Sequence, residues 1–112
     1  MRKDDAVRLK HMLDASREVI SFAKGKNRSD LDTDRKLALA LVKSIEIIGE
    51  AASKISAEGR DSHSHIPWAS IISMRNRLIH AYYEIDLDIL WKTVIEDIPP
   101  LLKELEQINP SC

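Results

Sequence analysis

Asp34-Arg35-Lys36-Leu37-Ala38-Leu39-Ala40-Leu41-Val42-Lys43-Ser44-Ile45-Glu46-Ile47-Ile48-Gly49-Glu50-Ala51-Ala52-Ser53-Lys54-Ile55 decides the fold class. Leu37, Leu41, Ile45, Ile48, Ala52 and Ile55 recur three or four residues apart, which is the spacing that lines one face of an α-helix. A helix over about 33 to 57, central to the core, follows. Gly49 interrupts it with a residue that costs a helix about 1 kcal/mol relative to alanine, and close approach by a second helix is one explanation.

The rest of the chain is consistent with an all-α protein. Its 112 residues suit one domain, 1 to 112, and 44% hydrophobic with 31% charged residues argues against disorder. Only 3 Gly and 4 Pro leave few places to turn. The single cysteine, Cys112, permits no disulfide within the chain and no Cys-rich zinc site, so a cytoplasmic protein is expected. Neither a signal peptide nor a membrane anchor is evident. Net charge is −1, but the distribution is uneven: residues 1 to 28 carry 8 Lys+Arg against 4 Asp+Glu, and residues 29 to 112 carry 9 against 14. That basic segment is either an attraction for RNA or a solvated helix face.

Residues 4 to 24 read as a first helix, with Val7, Leu13, Ile20 and Phe22 apolar and Gly25 as a stop. Residues 26 to 30 read as a loop, and the chain from Gly59 to Ile66 is polar. Pro67 suits the first position of a third helix carrying Trp68, Ile71, Ile72, Leu78 and Ile79. Asp86 or Glu84 is placed to open the last helical segment, through Leu87, Leu90, Trp91, Val94 and Ile95. Ile98-Pro99-Pro100 should break or kink it before Leu101, Leu102 and Leu105 resume the pattern. With no strand-like alternation, the expected architecture is an up-and-down antiparallel bundle of four to five helices.

Chemistry concentrates in Met74-Arg75-Asn76-Arg77-Leu78-Ile79-His80-Ala81-Tyr82-Tyr83. Arginine offers a planar, permanently charged fork for phosphate oxygens, and histidine exchanges protons near neutral pH. On a continuous helix Asn76 and His80 share a face, with Tyr83 beyond them, whereas Arg75 lies about 140° from His80. Arg75 would then fall on the core-facing stripe. It must meet a carboxylate, reach out at a helix end, or line a cleft between subunits. Glu46 and Glu50 of the second helix are candidate structural partners for it.

Arg75, four residues, His80, one residue, Tyr82 resembles the signature of the HEPN superfamily, specifically its HepT-like toxins. The polar Asn76 fits the same pattern. Similarity extends to Ile45-Glu46-Ile47-Ile48-Gly49-Glu50-Ala51-Ala52, to Ile66-Pro67-Trp68, and to Glu84-Ile85-Asp86-Leu87-Asp88-Ile89-Leu90-Trp91. The resemblance implies a HEPN-like fold and a metal-independent endoribonuclease, acting as a homodimer whose two motifs face one cleft. It implies catalytic roles for Arg75 and His80, with Asn76 supporting them, and no cofactor. It also implies a minimal nucleotidyltransferase antitoxin that attaches AMP to Tyr82, making O-AMP-tyrosine, with Tyr83 as the neighbouring acceptor.

Other signals carry less. His63-Ser64-His65 lacks a third ligand cluster nearby in sequence, so no metal site is expected. Asp86-Leu87-Asp88 lacks a preceding phosphate loop and suits a helix N-terminus. Two further functions compete with RNA cleavage. One is a non-catalytic helical subunit that regulates a nucleotidyltransferase or positions its substrate; the other is a plain dimerisation bundle.

Overall fold

The computed structural model describes residues 2 to 79 and 84 to 108, and the described residues build an all-α bundle. Its helices are α1 (Lys3–Ala23), α2 (Asp30–Thr33), α3 (Arg35–Ser53), α4 (Ala57–Ser62), α5 (Trp68–Ile72), α6 (Met74–Leu78), α7 (Leu87–Lys92) and α8 (Ile98–Gln107), with a π-helical turn, Thr93–Asp97, joining the last two. The α3 stripe is buried as its spacing predicts: Leu41, Ile45, Ile48 and Ala52 are inaccessible to solvent, and Leu37 and Ile55 nearly so. Each leucine or isoleucine removed from water in this way contributes roughly 1.5–3 kcal/mol. Leu9, Met12, Ala15 and Val19 of α1 and Leu101 and Leu105 of α8 complete the same core.

Local chemistry fixes where α3 begins and stops. Asp34 caps its N-terminus, accepting a hydrogen bond from the Leu37 backbone N–H at 3.0 Å. Beyond its C-terminus the Arg60 guanidinium donates to the carbonyls of Ala52 and Ser53, at 3.3 and 3.0 Å, a favourable position for a cation. Gly25, with φ of +75°, ends the passage out of α1 in the left-handed region that glycine tolerates.

Asp5 joins the start of α1 to the chain just past α3, which makes the two long helices antiparallel neighbours. Its carboxylate, 2% exposed, accepts from the Ser56 backbone N–H at 2.9 Å and from the Ser56 hydroxyl at 2.5 Å. Ser56 Oγ in turn caps α4 by accepting from the Gly59 N–H at 3.0 Å. Gly59 is required there because an added Cβ would lie 2.6 Å from Asp5 Oδ2.

Several elements differ from the sequence expectation. The loop holds over 26 to 29, with Asp30 starting the single turn α2, and the first part of the polar stretch from Gly59 to Ile66 belongs to the short helix α4. Pro67 is the N-cap of α5, with ψ of 73°, instead of its first helical residue. The third helix is two short ones, separated at Ser73, and it ends at Leu78; Ile79 is extended and forms an antiparallel bridge with Ile85. Asp86 does open α7, accepting from the Ile89 N–H at 3.0 Å. Ile98-Pro99-Pro100 does not stop the helix. The two prolines occupy the first turn of α8, where a missing N–H is tolerated, and the π turn just before them takes up the change of register.

The Ser56 hydroxyl first, then the Ser56 N–H, hold the Asp5 carboxyl below the ordinary carboxylate range of about 3.8, against the opposing pull of burial. A depressed folded-state value adds stability that is present above the unfolded value and disappears as pH falls through the folded one. The stability gap between the wild type and Asp5→Asn should therefore be constant near neutral pH and narrow below about pH 4. Urea melts across that range, monitored by helicity, measure it.

Candidate functional site

Gly49 places the segment that carries the motif. A Cβ built there would sit 3.3 Å from the Ile71 carbonyl oxygen and 3.5 Å from that of Ile72, so the end of α5 rests against bare α3 backbone. This is the close approach that the glycine suggests. Trp68, Ile71, Met74 and Leu78, three or four residues apart, face inward across the break at Ser73. The Trp68 indole N–H donates to the carbonyls of Arg60 and His63, at 3.2 and 3.0 Å, tying α5 to the turn after α4.

With those four residues facing the core, Arg75 falls at its edge rather than within it. Its Nε lies 3.2 Å from Glu46 Oε2, and the two side chains are 39% and 34% exposed. Of the options left open by the sequence, the carboxylate partner on α3 is present. The Nη nitrogens of Arg75 have no protein hydrogen-bond partner among the described residues, so the fork keeps donors for an incoming anion. Asn76 is exposed beside it.

Both residues open onto a groove of about 580 Å³ between α1, α3 and the α5–α6 segment. Arg8 and His11 come from α1, Lys43, Glu46 and Glu50 from α3. Sequence reading did not single out Arg8, His11 or Lys43 for this site. The available signal was spacing: Arg8 and His11 are three apart on α1, and Lys43, Ile47 and Glu50 follow one face of α3.

His80 and Tyr82, as well as Tyr83, lie outside the described residues. The helix assumed for the Asn76–His80 pairing ends two residues earlier, at Leu78, so the 140° separation from Arg75 does not apply. The described chain around the motif is closed by the Ile79–Ile85 bridge and by the Asp86 N–H donating to the Leu78 carbonyl at 2.7 Å. Arg77, also in the motif, donates to the Ser70 carbonyl at 3.3 Å. His65 pairs with Glu104 at 3.0 Å, away from the groove. No described helix is long and apolar enough to cross a membrane.

A family model described as Ribonuclease HepT-like matches residues 12 to 108. The chain is 39% identical over 100 residues to a protein of Caldanaerobacter subterraneus subsp. tengcongensis that carries a provisional RNase name, with 89% of each chain covered. It is 42% identical over 80 residues to a Thermococcus cleftensis protein named as a probable ribonuclease HepT, covering 71% of this chain and 73% of the relative. A Methanocaldococcus jannaschii protein, also provisionally named an RNase, is 34% identical over 105 residues, covering 94% and 96%. No solved structure matches the chain.

Because the Ile71 and Ile72 carbonyls leave Gly49 no room for a branched side chain, Gly49→Val should push α5 off α3. The expected cost is about 1–3 kcal/mol, the usual range for overpacking. A lowered midpoint in thermal unfolding, with helicity otherwise retained at low temperature, is the readout.

Proposed function

The chain belongs to the HepT-like ribonuclease family of the HEPN superfamily, and on that premise we propose that it is the toxin of a toxin–antitoxin pair. It acts as a metal-independent endoribonuclease, in the cytoplasm and as a homodimer. The observation that carries this reading is Arg75: a guanidinium paired with Glu46, with Asn76 beside it, opening onto a groove that charged side chains line. A core arginine would have no such access.

The reaction has the 2′-hydroxyl oxygen of one nucleotide attack the adjacent phosphorus. A P–O2′ bond forms and the P–O5′ bond breaks, leaving a 2′,3′-cyclic phosphate and a 5′-hydroxyl. One group must take the 2′-hydroxyl proton and another must protonate the leaving 5′ oxygen. His80 serves as one, and the facing His80 of a second copy, or water, serves as the other. Arg75 neutralises charge growing on the non-bridging oxygens, where a fixed cation is worth most. Asn76 orients His80 or a phosphate oxygen through hydrogen bonds.

Regulation follows from Tyr82. A minimal nucleotidyltransferase antitoxin moves AMP from ATP onto the phenol oxygen, releasing pyrophosphate. The new phosphodiester puts bulk and negative charge near Arg75 and His80 in sequence, repelling an RNA backbone and competing for the guanidinium.

Purified protein should cleave RNA in EDTA, and Arg75→Ala and His80→Ala should each lose at least about 100-fold in rate, the usual scale of an acid–base or charge-stabilising group. Both variants should keep the wild-type circular dichroism and dimerisation. Cleavage that requires a divalent ion would refute metal independence. Tight binding to the transferase with no cleavage of any RNA would favour a regulatory or substrate-positioning subunit.

Incubation with the neighbouring transferase and ATP should add AMP to Tyr82, located by peptide mass spectrometry, and abolish cleavage. Modification confined to Tyr83 would overturn the Tyr82 assignment.

A further inference from the structure

Several basic side chains already have partners. Lys10 pairs with Asp14, Arg17 with Glu106, Arg28 with Asp32 and Asp88, and Lys54 with Glu50. Arg60 is held by two backbone carbonyls. Arg8, His11 and Lys43 make no ion pair or side-chain hydrogen bond among the described residues, and all three line the groove that Arg75 and Asn76 enter. Four permanent cations, Arg8, Lys43, Lys54 and Arg75, thus face two carboxylates, Glu46 and Glu50. Both carboxylates are already committed, Glu46 to Arg75 and Glu50 to Lys54. Within the groove, the uncompensated charge therefore lies on the two helices opposite the motif, on Arg8 and Lys43.

We propose that Arg8, His11 and Lys43 form a backbone subsite that holds the RNA strand beside the scissile phosphate, with the groove continuing from Arg75 along α1 and α3. This rests on the ribonuclease reading for the identity of the scissile position, but the subsite itself is a claim about binding single-stranded RNA. Arg8 and Lys43 contact phosphate oxygens from opposite walls. His11, one turn along α1 from Arg8, donates a ring N–H to a phosphate or 2′-hydroxyl oxygen. Ile47, 37% exposed in the same groove, offers an apolar surface to a ribose or base. Such contacts position a strand without reading its sequence. Arg8 and His11 precede residues 12 to 108, so the family match does not cover them.

The experiment uses full-length protein and a short fluorescent single strand with 2′-O-methyl riboses, which cannot be cut by attack of a 2′-hydroxyl. Fluorescence anisotropy gives affinity as a function of salt. Each phosphate contact to a single strand contributes about 0.7 to the slope of log affinity against log salt. The double variant Arg8→Gln, Lys43→Gln should therefore lose about 1.4 from that slope, so its fall in affinity over a fourfold rise in salt shrinks about sevenfold. Lys103→Gln, an exposed cation on α8 outside the groove, should leave the slope unchanged. His11→Gln should weaken binding with little change in slope.

A double variant with the wild-type slope, an equal loss in Lys103→Gln, or a wild type that does not bind the strand would each overturn the subsite. Cleavage of unmodified RNA by the wild type is scored separately. Groove-dependent binding without cleavage keeps the subsite and defeats the ribonuclease reading, whereas cleavage with a slope indifferent to Arg8 and Lys43 does the reverse.

Discussion

The carbonyl oxygens of Ile71 and Ile72 rest on α3 at Gly49, at a distance that any branched side chain would destroy. That contact sets how closely the α5–α6 segment approaches the central helix, and hence where Arg75 lies along Glu46. The helix tolerates the glycine because its neighbours Ile45, Ile48 and Ala52 are fully buried. Burial of that stripe amounts to several times the roughly 1 kcal/mol that a mid-helix glycine costs. The site is therefore positioned by core packing and not by its own polar contacts.

The Arg75–Glu46 pair fits that division of labour. Two side chains more than a third exposed gain little stability from one another, on the order of 0–1 kcal/mol, because water competes and screening is effective. What the carboxylate does contribute is a neighbouring counter-charge. The Nη donors of the guanidinium have no protein partner among the described residues, and an arriving phosphate need not break the pair to be bound. A stronger, buried pair would have removed the arginine from use, and an unpaired arginine would have sampled many rotamers.

Features with a period were legible in the sequence. The α3 stripe, the Asp86 cap and the unusual Gly49 all follow from regular spacing or from local hydrogen-bond chemistry, and each is where the residues predict. Features decided by distant contacts were not legible. Asp5 looks like an ordinary first-turn acid until Ser56, fifty-one residues away, donates to it twice. On an uninterrupted third helix with Ile72 and Ile79 facing inward, Arg75 is a core charge. Met74 takes the inward position instead, Ile79 leaves the helix, and Arg75 moves to the rim. The short helices α2 and α4 have too few residues to show a period at all; the Ser56 cap is a local signal for the second, but polar composition masked it.

The same contrast governs the charge. A net charge of −1 gives no general attraction for a polyanion, and the excess of Lys and Arg before residue 29 had two readings, an RNA-attracting segment or a solvated face. The structure divides that segment residue by residue. Lys10, Arg17 and Arg28 are neutralised by Asp14, by Glu106, and by Asp32 and Asp88, and the last two carboxylates raise the Arg28 proton affinity further. Arg8 has no such partner among the described residues and lies on the groove wall, facing Lys43, which the composition of the N-terminal segment does not include. Electrostatic attraction falls off within about 8–10 Å at physiological salt, so the field an RNA phosphate meets is that of the nearest unpaired cations and not of the whole chain. A near-neutral protein can thus present a cationic groove wall where neighbouring cations outnumber the carboxylates left to pair with them.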